Sequence, residues 1–168
     1  MKLRTIDKSR YSKHYRILFV VIVLALVVIS LSSSALLIGF FSTPDDSNFV
    51  LNLAGVVVAA LLVSYGVYRF RHHPFMDEVV YVWKLKQQLN RIYRKQRKIE
   101  PLIDEQNHDA MVIMNYFYQG SKQLYELDDN TITLDNLAIK FNHLNDSIEQ
   151  AGLKLSTDDY DPGMLARF

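Results

Sequence analysis

Two long uncharged segments constrain this chain of 168 residues more than any other feature. The first, Ile17–Phe41, has 25 residues and the second, Phe49–Tyr68, has 20; neither contains Asp, Glu, Lys or Arg. A helix of about 20 apolar residues spans the hydrocarbon core of a bilayer, and helices of soluble proteins are rarely uncharged for so long. The sequence therefore predicts an all-α membrane protein with a transmembrane hairpin at 17–71: spans 17–41 and 49–68, joined by a loop at 42–48.

The basic residues predict how this hairpin is oriented. Residues 1–16 contain six Lys/Arg, Arg69 and Arg71 follow the second run, and the loop 42–48 has no basic residue. Lys and Arg accumulate in the cytoplasmic segments that flank membrane spans. We therefore expect a basic cytoplasmic N-terminus (1–16), a loop on the outer side and both termini in the cytoplasm.

Charge is also separated along the chain. Residues 1–100 carry 15 Lys/Arg and 6 Asp/Glu, a net charge of +9, whereas residues 101–168 carry 4 and 12, a net charge of −8. A basic part near the membrane and an acidic part away from it suit an anionic lipid surface. Membrane lipids thus account for the basic residues, and no nucleic-acid partner is predicted.

Catalytic chemistry has little support in the sequence. The chain has no Cys, which excludes disulfides and thiol catalysis, and it is too short for a membrane hairpin and a large catalytic domain. It lacks a glycine-rich phosphate loop, a nucleophile elbow and a zinc-protease motif. Asp104 and His108 could share an ion on one helix face, but two ligands make a poor site. We predict no enzyme, no cofactor and no metal.

Small residues recur every seven positions in both apolar runs. Because lipid tails are as apolar as Leu, membrane helices associate through close packing of small residues. We interpret Asn52, the strongly polar side chain of the second run, as a helix–helix hydrogen-bonding group, with a place in a permeation path as the alternative. The predicted helix-packing residues are Ala25, Ser32, Gly39, Asn52, Gly55, Ala59 and Gly66.

A cytoplasmic helical domain is predicted for residues 72–152. Pro74 ends the second span and begins a new helix, and from Val82 apolar residues alternate at spacings of three and four, as in a coiled coil. This register continues across Pro101, which favours one long helix kinked there; two antiparallel helices that meet at Pro101 are the alternative. The apolar stripe predicted to bind a partner or a second copy contains Leu85, Leu89, Ile92, Ile99, Ile103, Phe117 and Leu124.

Basic side chains lie opposite this stripe at 100° per residue. We call them the basic face: Lys84, Arg91, Arg94, Lys95 and Lys98. The face is interpreted either as the solvated side of a packed helix or as a contact with anionic lipid phosphates.

The C-terminal third of the chain is expected to contain one more helix and a tail. Thr133 can cap a helix over Leu134 to about Gln150, and Gly152 can close it. Such a helix could fold back along residues 107–127. The acidic segment 153–168 has too little apolar content to fold alone, so a flexible tail is predicted.

Several short strings resemble a family of uncharacterised two-span inner-membrane proteins of gammaproteobacteria that carry a domain of unknown function. The strings are Ile6–Lys8, Arg10–Tyr11, Lys13–His14, Ser47–Phe49 with Asn52 and Gly55, His73–Phe75 and Tyr81–Trp83. The resemblance covers most of the chain, weakens in the tail and implies a location in the bacterial inner membrane rather than an activity.

We predict a non-enzymatic anchor or accessory protein of the inner membrane. Its cytoplasmic helices would self-associate, or hold a partner, within a homo-oligomer or a larger membrane complex. The alternative is a small homo-oligomeric cation channel with Asp45 and Asp46 at its outer mouth, because carboxylate rings attract cations.

Overall fold

A computed structural model describes residues 2–43, 47–130 and 133–168, and within these ranges the secondary structure is entirely helical. The α-helices are α1 (Lys8–Phe41), α2 (Phe49–Phe70), α3 (Asp77–Tyr93), α4 (Gln96–Ile99), α5 (His108–Leu127) and α6 (Leu134–Gln150). Short 3-10 helices occur at Pro74–Met76, Glu100–Ile103, Thr157–Asp159 and Pro162–Arg167.

The chain divides into two compact units. Ser9–Val79 form the hairpin unit, whereas Met1–Lys8 and Val80–Phe168 together form the helical unit. The helical unit is therefore discontinuous in sequence, since the whole hairpin unit is inserted between its two parts. The boundary on the C-terminal side falls inside α3.

The two helices of the hairpin unit are long and apolar enough to span a membrane. Helix α1 has 34 residues and α2 has 22, and both predicted runs lie inside them. Helix α1 begins well before its apolar run because residues 8–16, although basic, contain no Pro or Gly that would interrupt a helix.

The chain reverses direction between α3 and α5, so the predicted single helix kinked at Pro101 is wrong. Pro101 lies inside the 3-10 helix Glu100–Ile103, and the reversal comes later, where Gln106 adopts a left-handed φ of 55°. Asn107 then caps α5 by accepting a hydrogen bond from the Ala110 N–H at 3.0 Å. The heptad register continues across Pro101 although the helix does not, and Asn107, six residues later, caps the start of α5.

The core of the helical unit is built from α3, α5 and α6, with α5 at its centre. Met111, Ile113, Met114 and Tyr116 of α5 are completely buried. Helix α6 packs mainly against α5, as predicted, and its bounds are those expected from the sequence. Its N-terminus differs, because Thr133 makes no side-chain capping bond. Its C-terminus is closed by Gly152 at φ 67°, a conformation that favours glycine.

The C-terminal segment 153–168 is packed rather than flexible. It forms two 3-10 helices, and Tyr160 and Leu165 are buried. The Tyr160 ring stacks on Tyr116 of α5 with ring centroids 4.3 Å apart. The prediction of a flexible tail fails because the segment needs no core of its own: it covers one that α3 and α5 have already formed.

Candidate interaction surfaces

The contact between α1 and α2 in the hairpin unit is made by Ser34 and Gly55. Both residues are buried, and Ser34 Oγ donates a hydrogen bond to the Asn52 carbonyl oxygen at 3.3 Å. A Cβ atom at Gly55 would overlap Ser34 Oγ and lie 2.7 Å from the Ser34 nitrogen. Only glycine therefore permits this approach of the two backbones.

The other predicted packing residues divide into two groups. Ala59 is fully buried, and Ala25 and Gly66 are half-buried. Ser32, Gly39 and the Asn52 side chain are exposed instead, and an added Cβ at Gly39 or Gly66 would meet no atom within 4 Å. Ser32 misses the contact because it lies about 200° around the helix from Ser34, on the opposite face.

Near the start of α1, the hairpin unit contains a buried carboxylate. The Glu78 carboxylate forms an ion pair with Arg10 Nε at 2.9 Å and contacts His14 Nδ1 at 3.3 Å. The His14 ring also packs on Phe75 with centroids 4.2 Å apart. Arg10 and His14 are one helical turn apart, so two adjacent side chains of α1 fix the first turn of α3 through one carboxylate.

The residues of the apolar stripe are buried or half-buried inside the helical unit. Leu85, Leu89, Ile92, Ile99 and Ile103 are buried, as is Phe117, and Leu124 is half-buried. Since α5 returns along α3, the two halves of the stripe cover one another. The stripe residues consequently form part of the core of this unit, with Leu124 at its edge.

The N-terminal segment, residues 2–8, packs on the same helices. Leu3 converges with Leu85 and Leu89 on Gly120. The Tyr81 hydroxyl accepts a hydrogen bond from the Arg4 backbone N–H at 3.1 Å and donates one to Gln123 Oε1 at 3.0 Å. Gln123 Nε2 in turn donates a hydrogen bond to the Arg4 carbonyl oxygen at 2.6 Å. Lys8 also pairs with Asp129. This segment therefore belongs to the fold of the helical unit.

The basic face is largely exposed, but its members are not equivalent. Lys84, Arg91, Arg94 and Lys98 are exposed, whereas Lys95 is half-buried and donates to the Leu165 carbonyl at 2.7 Å. Lys98 lies 3.4 Å from the Phe168 oxygen. Lys95 therefore holds the C-terminal segment, and its predicted lipid contact is not supported by its geometry.

A groove of about 520 Å³ lies between the 3-10 helix Glu100–Ile103 and α6. Glu100 Oε1 on its wall accepts the Tyr118 hydroxyl at 2.9 Å and Lys140 Nζ at 2.6 Å. Partial burial opposes ionisation of Glu100, but these donors prevail and hold its pKa below the ordinary value. Burial, together with this carboxylate, raises the pKa of Tyr118. Glu100, Tyr118 and Lys140 of the groove thus satisfy one another.

The described residues contain no group of three His, Asp or Glu placed to hold a metal ion. Asp104 does not meet His108; it contacts His143 Nε2 at 3.4 Å, while His108 lies beside Asp109. Asp45 and Asp46 of the predicted channel mouth lie outside the described residues.

Comparison with known proteins bears on the whole chain. A family model described as "Protein of unknown function (DUF3087)" matches residues 1–165. The chain belongs to the DUF3087 family. A search of curated proteins and a search of solved structures each returned no significant match. Membership of DUF3087 agrees with the predicted resemblance to an uncharacterised family.

Sequence reasoning missed two parts of this DUF3087 protein that pack onto α3 and α5. One is the N-terminal segment and the other is the C-terminal segment with Tyr160. Neither has the length or periodicity of a helix, and each gains its order from side chains distant in sequence. The available signal was apolar and aromatic residues, such as Leu3 and Tyr160, inside charged terminal segments.

Proposed function

We propose that this DUF3087 protein is a two-span protein of the bacterial inner membrane that acts through contacts rather than catalysis. In this proposal α1 and α2 cross the bilayer and hold the helical unit at the cytoplasmic face. One observation carries it: the segment before α1 and the chain after α2 fold together in a single unit. If the two helices cross a membrane, both flanks must lie on the same side.

The exposed surface of the hairpin unit supports the membrane location. Among the described residues, 24 exposed large hydrophobic side chains lie in the hairpin unit and three in the helical unit. Water-soluble proteins seldom expose apolar surface on this scale, whereas lipid is its natural solvent. The absence of basic residues from the loop 42–48 favours the orientation with this loop outside.

Cysteine labelling tests this topology, because the chain has no Cys of its own. Thr5→Cys, Ser47→Cys and Lys122→Cys would be made singly and treated in intact spheroplasts with a membrane-impermeant maleimide. We expect Ser47→Cys to react at once and the other two only after permeabilisation. Labelling of Thr5→Cys and Lys122→Cys from opposite sides would overturn the two-span proposal; labelling of both from outside would reverse its orientation.

Self-association or docking must then use surfaces other than the buried apolar stripe. The exposed Asn52 amide in α2 is one such group, because an unpaired amide in hydrocarbon gains by bonding to a second helix. We expect the mass in mild detergent to exceed that of a monomer and to fall towards it in Asn52→Leu but not in Val56→Leu. A monomeric mass without co-purifying proteins would contradict action through contacts. The cation-channel alternative remains a prediction from the sequence.

A further inference from the structure

We infer that the exposed side of α3, together with Arg94 and Lys98 beyond it, binds the anionic headgroup surface of the bilayer that α1 and α2 span. The inference rests on the proposed membrane-spanning hairpin, and it assigns a ligand, a lipid phosphate surface, to residues of the helical unit.

The first observation is a set of exposed cations that pair with no Asp or Glu; one of them, Lys98, donates to the Phe168 oxygen at 3.4 Å. Lys84, Arg91, Arg94 and Lys98 are exposed, and none forms an ion pair with a carboxylate in the part of the chain that the structure describes. Other cations of the helical unit behave differently: Lys86 pairs with Asp128, Lys140 with Glu100 and Arg167 with Asp109. Lys122 and Lys154 are also exposed and form no ion pair in the described residues, but they lie far apart in sequence, whereas these four cations all fall within residues 84–98.

The second observation is Trp83, which is 60% exposed although it is the chain's only tryptophan. At 100° per residue, Trp83, Lys84, Gln87 and Arg91 fall within an arc of about 100° on α3. An indole that is exposed beside Lys and Arg side chains matches the headgroup region, where amphipathic rings and cations are both favoured.

The third observation is the short connection between α2 and α3. Phe70 ends α2 and Asp77 begins α3, so even a fully extended connection between them reaches only about 25 Å. If α2 ends at a membrane surface, the first turn of α3 stays near that surface at a high effective concentration. A nucleic acid would offer the same phosphate chemistry without this tether, so the tether favours the bilayer.

Trp83 is a native reporter on this surface and makes the test direct. The full chain would be reconstituted in nanodiscs of phosphatidylcholine alone or mixed with phosphatidylglycerol, each doped with lipid carrying a nitroxide quencher at the headgroup. We expect quenching of Trp83 to be about twofold or more stronger with phosphatidylglycerol, and to fall in about 1 M NaCl, where the Debye length is about 3 Å.

Paired variants locate the effect. Arg91→Gln with Arg94→Gln should remove the dependence on phosphatidylglycerol, whereas Lys122→Gln with Lys154→Gln, which removes two exposed cations elsewhere in the helical unit, should leave it unchanged. Equal quenching of the unmodified chain in both lipids would overturn the inference without any variant. A second result would also overturn the inference: a DNA duplex that binds the protein in phosphatidylcholine nanodiscs but does not bind the Arg91→Gln/Arg94→Gln variant. That result would assign the surface to nucleic acid.

The labelling experiment keeps this inference separate from the proposed function. A correct topology combined with lipid-independent quenching would reject the basic surface and leave the two-span hairpin standing. Labelling of Thr5→Cys and Lys122→Cys from opposite sides would reject the two-span hairpin itself.

Discussion

The hairpin unit and the helical unit bury their residues in opposite ways. Where α1 meets α2 in the hairpin unit the buried residues are Ser34, Gly55 and Ala59, while large side chains such as Leu61 and Phe40 remain exposed. In the helical unit the core consists of large side chains, including Tyr116 and Leu85. The difference is what the proposed membrane location would require: small residues set the contact of helices that lipid surrounds, and large ones form a core that water surrounds.

The largest contrast should come from truncating one large side chain in each unit. Ile92→Ala removes a fully buried side chain and should cost about 2–5 kcal/mol of the free energy of unfolding. Leu61→Ala in α2, where the side chain is 66% exposed, should change it by about 0.5 kcal/mol or less. Denaturant unfolding in mild detergent, followed by circular dichroism, measures both; equal losses would break the comparison.

The C-terminal segment should behave as part of the core. Tyr160→Ala removes the ring stacked on Tyr116 and the partner of Gln88, and should cost about 2–4 kcal/mol. Tyr93→Ala, a tyrosine that is 66% exposed, is the matched control and should have little effect. Faster proteolysis near residue 153 in Tyr160→Ala alone would support the packing, whereas equal proteolysis of both variants would contradict it.

The sequence predicted elements well where the pattern was local and poorly where order came from distant residues. The bounds of α6 follow from its own spacing and from Gly152, and both were found. The C-terminal segment was predicted to be flexible because its stabilising partner, Tyr116, lies in another helix. Likewise the spacing of the apolar stripe predicts that it is covered, but the same spacing fits a second copy of the chain and α5 equally well.

The choice of the face of α1 that contacts α2 also depends on residues distant in sequence. A seven-residue recurrence of small residues pointed to Ser32 and Gly39, but the contact uses Ser34, almost directly across α1. Several faces of α1 carry small residues, and only the position of α2 decides between them.

The glycine contact sharpens the comparison further. Gly55→Ala places a methyl group against Ser34 and should cost about 1–3 kcal/mol through overpacking. Gly66→Ala in the same helix meets no atom within 4 Å and should be neutral or slightly stabilising. Thermal unfolding in detergent of both variants measures this, and a neutral Gly55→Ala would mean that the two backbones are farther apart than described.

The smallest expected effect concerns Glu100 in the helical unit. Its pKa is lowered in the folded state, so its charge stabilises the fold above its unfolded value near 4.5, and this contribution is lost as the pH falls through the lower folded value. Glu100→Gln should therefore cost about 1 kcal/mol or less at neutral pH, with the difference vanishing in acid. Unfolding curves at several pH values test this, with Glu149→Gln, an exposed glutamate of α6, as control.

The discontinuous helical unit has a consequence for how the protein is made. Residues 2–8 are translated before both apolar helices, whereas Tyr81 and Gln123, which bind Arg4, are translated only after them. Residues 2–8 can therefore reach their place in the helical unit only after both apolar helices have been made. A purification tag joined ahead of Lys2 would lie next to its ion pair with Asp158, at a segment that belongs to the fold of the helical unit.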